Sequence, residues 1–210
     1  MSKVVIYGIT GFTGGNIARE AIARGHQVVG VARNTTEFNL DGATVVAGDI
    51  SDLAGFAANI AGADAVVLAL RHSNPVIADL LPDLLTAATA AGVRLAVVGG
   101  AGSLYVADGG PRLIDTPEFP DAYKTEASAA LKSLLVLAAA TQGDWFYVSP
   151  AALYGSFAPG TRSGSYRLGG DVLVSDAEGK SVIGGEDYAI AFVDEIEKKA
   201  HHNQRFTVAY

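Results

Sequence analysis

The chain has 210 residues, half of them apolar, with a net charge of −7 and no cysteine. That length suits one substantial core, and the missing cysteine removes disulfides, thiolate catalysis and cysteine-ligated metal. An acidic balance without a basic stripe argues against a nucleic-acid partner, and no apolar run approaches the ~20 residues that would cross a bilayer, so no membrane partner is expected either.

Met1-Ser2-Lys3-Val4 leads directly into a strand pattern, leaving no room for a targeting peptide, and a cytoplasmic location is the expectation. Val4-Val5-Ile6-Tyr7 then meets Gly8-Ile9-Thr10-Gly11-Phe12-Thr13-Gly14, three glycines spaced three apart, with a helix expected from Asn16. A strand, a glycine turn and a helix in this order can hold a pyrophosphate. The first glycine permits the turn, the second lets backbone approach phosphate, and the third packs helix on strand while first-turn N–H groups face the anion. Gly25 suits the left-handed end of that helix, and Gln27 to Ala32 reads as a second strand. Gly8, Thr10, Gly11, Phe12, Thr13 and Gly14 are therefore candidate nucleotide contacts.

The second strand ends at Arg33, with no carboxylate until Glu37. A carboxylate there would bond the ribose of NAD; an arginine accepts the 2′-phosphate of NADP, and Thr35 and Thr36 could add hydroxyls. NADPH is favoured over NADH, the alternative being a solvated loop arginine. Thr44 to Gly48 is a third strand, Ser51-Asp52-Leu53 reads as the capped start of a helix running to about Ala61, and Ala65 to Leu70 is a fourth strand. Pro75 to Ala91 has a helical pattern, and Arg94 to Val98 is a fifth strand. Tyr123 to Ala140 is helical, Trp145 to Val148 is a strand, and Ile183 to Ala200 and Arg205 to Ala209 give a last helix and strand. The alternation predicts an α/β fold: a Rossmann-type, doubly wound parallel sheet in a single domain over 1–210. Glycine and proline become frequent within 151–184, read as a small substrate-side subregion near the C-terminal edge of the sheet. His201 and His202 are expected to be solvated at a helix end rather than metal ligands. The apolar stripe from Ser128 to Ala140 fits a core or a subunit face equally.

The glycine turn, Val97-Val98-Gly99-Gly100-Ala101-Gly102-Ser103-Leu104 and Asp144-Trp145-Phe146-Tyr147-Val148-Ser149-Pro150 resemble the atypical short-chain dehydrogenase/reductases. The resemblance is closest to the NADH-flavin reductase group, related to biliverdin-IXβ reductase and to NmrA-like proteins, and it spans essentially the whole chain. It implies that Asp49 and Ile50 lie beside the adenine and that Ala69, Leu70 and Arg71 follow the ribose and pyrophosphate. It also implies that Gly100, Ala101, Gly102 and Ser103 approach the nicotinamide, and that Ser149, Pro150, Ala151 and Ala152 flank its carboxamide. The structural alternative for each is an ordinary strand-exit turn.

Typical members pair a tyrosine with a lysine four residues later, on one helix face, so that the ammonium lowers the phenol's pKa. Here Tyr123 is followed by Ala127 at that spacing, Tyr105 by Gly109 and Tyr154 by Ala158. Lys124 lies about 100° around the helix from Tyr123. Alcohol oxidation by that route is not expected. Flavin reduction demands less, because the flavin can take its proton from solvent. The expected activity is NAD(P)H-dependent reduction of a free flavin (FMN or riboflavin) or another planar acceptor such as a quinone, by direct hydride transfer. Flavin is then a substrate, not a tightly bound cofactor. Ser103 is the catalytic candidate, able to bond nicotinamide or substrate, or else a local turn cap. His72, Tyr123 and Tyr154 are candidate pocket residues, His72 as proton donor or wall, though a solvated histidine is the plainer expectation. A non-catalytic NADP-binding sensor of the NmrA-like type is the alternative. A nucleotide-sugar isomerase or epimerase would need the missing pair and a larger C-terminal domain.

Overall fold

The computed structural model describes residues 1–36, 38–74 and 76–210. Glu37, the first carboxylate after the second strand, and Pro75, at the start of the third helical pattern, lie outside the described residues. The strands are β1 (Lys3–Tyr7), β2 (Gln27–Ala32), β3 (Ala43–Ala47), β4 (Ala65–Leu68), β5 (Arg94–Val98), β6 (Trp145–Ser149), β7 (Arg167–Gly169) and β8 (Gln204–Ala209). The helices are α1 (Phe12–Ala23), α2 (Leu53–Ile60), α3 (Ile77–Ala90), α4 (Asp121–Ala138) and α5 (Gly185–Lys198). They form one sheet in the order β3-β2-β1-β4-β5-β6-β8-β7, parallel throughout except for β7 against β8. The chain reverses its direction of travel across the sheet between β1 and β4, which is where open α/β sheets bind ligands.

β4, β5 and β6 are buried along their whole length, which is why they read as unbroken apolar runs. Alternate residues supply two cores. Val4, Ile6, Val67 and Phe146 pack towards α1 and α5, while Val5, Tyr7, Val66 and Trp145 pack towards α2, α3 and α4. Tyr188 of α5 illustrates how the first core ties to the sheet: its ring is buried and its hydroxyl donates to the Val148 carbonyl at 2.9 Å.

Three departures from the sequence pattern have physical causes. Helix α1 begins at Phe12, not Asn16, because Gly14 and Gly15 are helical residues selected for close packing rather than turn residues. β7 was not expected; three residues between glycines carry too little period to read as a strand, and its pairing to β8 supplies the order. His201 is not a solvated helix end: its Nδ1 is 2.7 Å from Glu195 and its ring stacks on Phe206 at 4.2 Å. His202 is 59% exposed beside Asp144. No helix among the described residues is long and apolar enough to cross a membrane.

Candidate functional site

The glycine turn explains itself through contacts. Gly8 has φ +89°, a left-handed conformation, and a Cβ there would lie 2.2 Å from the Ala69 carbonyl oxygen. A Cβ on Gly14 would lie 2.2 Å from the Gly8 carbonyl oxygen, so α1 can rest on the turn only if that residue is glycine. The Gly11 amide donates to the Gly8 carbonyl at 3.0 Å, and Gly11 caps α1 without any side-chain acceptor. The first-turn N–H groups of a helix lack intrahelical partners, so this end offers donors to an anion. An anionic pyrophosphate fits this cradle.

A cleft of about 130 Å³ opens beside the turn, lined by Gly8, Thr10, Arg33, Asp49, Ile50 and Leu70, with Tyr7 in its floor. Four adjacent strands, β3, β2, β1 and β4, deliver these residues from their C-terminal ends. Asp49 accepts from the Ser51 amide at 2.9 Å and the Ser51 hydroxyl at 2.7 Å. These bonds hold its carboxyl below the usual range, with the Arg33 charge adding to the effect against slight burial. Arg33 is exposed, and Thr10 and Thr36 also line a neighbouring open groove. Thr35 does not line it. Ala69 pairs with β1 through its amide and closes on Gly8, whereas Arg71 is exposed and lines neither cavity.

A larger, mostly apolar cavity of about 520 Å³ lies further along the same edge, a size common for small-molecule sites. Gly99 to Gly102 after β5 form one wall, Pro150 to Tyr154 after β6 another, and α4 contributes Tyr123, Glu126, Ala127 and Ala130. Gly100, Ala101, Pro150 and Ala151 thus meet at one surface. Ser149 does not: it is fully buried behind that wall.

His72 lines the cavity but is not solvated. It is 4% exposed, with Nε2 2.8 Å from the Val98 carbonyl and Nδ1 2.8 Å from the Ser133 hydroxyl. A carbonyl can only accept, so the Nε2 proton is committed to Val98 and Nδ1 is left as an acceptor. Burial lowers its pKa, outweighing the Val98 bond and the Glu126 charge. His72 thus stands in the cavity wall with its Nε2 proton held by the Val98 carbonyl. Ser103 also turns away: it is 3% exposed and does not line the cavity, and its Oγ accepts from Arg205 at 3.2 Å and donates to the Gly100 carbonyl at 3.4 Å. That is the local-cap geometry.

Tyr154 borders the cavity with its ring 4.6 Å from Tyr188 and its hydroxyl 2.9 Å from the Thr13 hydroxyl, joining the cavity to the phosphate turn. Burial raises its pKa further than the Thr13 bond lowers it, so the phenol stays neutral. Tyr123 is 53% exposed at the cavity, while Lys124 pairs with Asp121 at 2.7 Å and does not line it. Three residues passed over in the sequence shape the site. Glu126 accepts from the His72 amide at 2.6 Å, the Ser73 amide at 3.2 Å and the Ser73 hydroxyl at 2.5 Å, anchoring the turn after β4 to α4. Tyr147 accepts from the Gly100 amide at 3.2 Å and donates to the Ala130 carbonyl at 3.0 Å. Arg205 holds Asp171 and Ser103 behind the wall. Only Tyr147 left a sequence signal, a hydroxyl inside an otherwise apolar strand.

Residues 8–183 match the family described as NAD(P)H-binding. A Burkholderia pseudomallei structure, provisionally named an exported protein, is 43% identical with a TM-score of 0.88, each chain covered completely; that name leaves the cytoplasmic expectation unsupported. A Streptococcus pneumoniae structure provisionally named an NADH-flavin reductase is 30% identical, TM-score 0.89, over 100% of this chain and 99% of that one. A Bacteroides thetaiotaomicron structure provisionally named an epimerase is 36% identical, TM-score 0.89, over 100% and 97%.

Proposed function

The chain belongs to the NAD(P)H-binding family, among the atypical short-chain dehydrogenase/reductase-like proteins, and on that premise we propose that it is a reductase transferring hydride from NAD(P)H to a free flavin or another planar acceptor such as a quinone. NAD(P)H, when bound, would supply hydride from C4 of its dihydronicotinamide to the acceptor, becoming NAD(P)⁺, and the acceptor would take one proton from solvent. The observation that carries the reading is the mostly apolar cavity built on the β5 and β6 exits, in whose wall the His72 Nε2 proton is held by the Val98 carbonyl. Gly8, Gly11 and the first turn of α1 would hold the pyrophosphate, Arg33 and Thr36 the adenosine end, and Gly100, Ala101, Pro150 and Ala151 the nicotinamide. Tyr123 and Tyr154 would bound the acceptor. These residues bind, orient and exclude water; none has to deliver a proton.

The test is anaerobic NADPH oxidation with and without riboflavin or a naphthoquinone. Saturable, acceptor-dependent oxidation supports the reading, and indifference to all of them sinks it. The missing tyrosine–lysine spacing at Tyr105, Tyr123 and Tyr154 also suits a non-catalytic NADP-binding sensor, which would bind NADPH and NADP⁺ without consuming either. The epimerase reading is weaker, because Ala127 stands where a lysine would complete the tyrosine pair.

A further inference from the structure

The cavity wall carries charge of one sign. Among the described residues lining it are two carboxylates, Glu118 and Glu126, and no lysine or arginine. His72 is held neutral by its burial. Of the nearby cations, Lys124 pairs with Asp121, Arg205 is 5% exposed against Asp171, and Arg112 lies over the Tyr105 ring, while the exposed Arg71 does not line the cavity. Glu118 is solvent-exposed, so one carboxylate stands at the open side of the lining. Around the same opening Phe157 is 64% exposed, Tyr123 53% and Leu153 46%, an apolar border that a flat ring would cover.

Resting on the reading of this cavity as the acceptor site, we infer that it selects an uncharged planar acceptor, a dephosphorylated flavin or a naphthoquinone, over the same ring carrying a phosphate. A phosphate brings a charge of about −2 near neutral pH. A site for it would present an arginine fork, a lysine or a helix N-terminus. This lining presents two carboxylates and, among the described residues, no arginine or lysine; the N-terminus of α4 reaches it at Pro120 but already carries Asp121 in its first turn, and the net charge of −7 adds to the repulsion.

The test compares riboflavin, FMN and 1,4-naphthoquinone in anaerobic NADPH oxidation, at low and high salt. Riboflavin should exceed FMN in kcat/KM by about tenfold at low ionic strength, and the gap should narrow as salt screens the charges. Glu118→Lys should raise kcat/KM for FMN several-fold relative to riboflavin. Equal or better use of FMN at low salt overturns the inference and leaves the reductase reading standing. A gap that does not respond to salt overturns it too, since exclusion by shape is not screened. Oxidation with none of the three overturns the reductase reading and the inference with it.

Discussion

Gly14→Ala tests the phosphate turn most sharply. Its Cβ would stand 2.2 Å from the Gly8 carbonyl oxygen, where ordinary contact begins near 3.4 Å. The obstruction is backbone on both sides, so α1 must retreat by about 1 Å. Overpacking of this kind costs ~1–3 kcal/mol, and at this chain length each kcal/mol lowers the melting temperature by about 2–4 °C. The expected loss is about 2–12 °C without any cofactor. Moving the first-turn N–H groups also weakens their bonds to pyrophosphate, and one charge-assisted bond at ~1.5–3 kcal/mol corresponds to about ten- to a hundredfold in Kd. Gly11→Ala is the control: its Cβ would lie 3.3 Å from Gly8 O, a contact that needs only a few tenths of an ångström. It should melt within about 2 °C of the parent yet lose NADPH affinity, because its methyl occupies the approach to phosphate. Thermal denaturation and NADPH titration of both variants measure this. A Gly14→Ala protein with parental melting and parental affinity would refute the packing argument.

Arg33→Ala should weaken NADPH by about tenfold while barely changing NADH, the loss of a charge-assisted phosphate contact; an unchanged NADPH to NADH ratio of Kd values would show that Arg33 is only a loop residue. Glu126→Ala leaves the His72 and Ser73 amides without their acceptor, and urea unfolding should register a loss of ~1–3 kcal/mol. Glu126→Gln, which keeps an acceptor oxygen, should recover part of it; equal stability of all three proteins would contradict the anchoring role. His72 has a folded pKa below its ordinary value because it is buried. The unfolded chain therefore binds the proton first, so stability is full above about pH 6.5 and declines as pH falls below it, down to the folded pKa. Urea midpoints at pH 7.5 and 5.5 should show a smaller drop for His72→Asn than for the parent, and identical drops would mean that His72 titrates normally.

The sheet was legible because burial on both faces leaves uninterrupted apolar runs, so β2 and β5 were placed to the residue. The switch-point cleft was legible because the exits of β1, β2 and β3 are marked by glycine or a polar residue, at Gly8, Arg33 and Gly48-Asp49. What escaped depends on contacts distant in sequence. His72 looks solvated beside Arg71 and Ser73, yet its partners are Val98 and Ser133, 26 and 61 residues away. Ser103 looks catalytic in its glycine-rich segment, but Arg205, 102 residues on, claims its hydroxyl. Glu126 has no motif at all; its role comes from α4 packing beside the turn that follows β4.

The proposed hydride transfer to a planar acceptor in the cavity beside the glycine turn can be read out by anaerobic single-turnover reduction of riboflavin, using NADPH deuterated at C4 on one face and then on the other. A primary isotope effect is expected for one face only, with the deuterium lost from that face. NADPH that binds firmly and yet is never oxidised by riboflavin or naphthoquinone would contradict it.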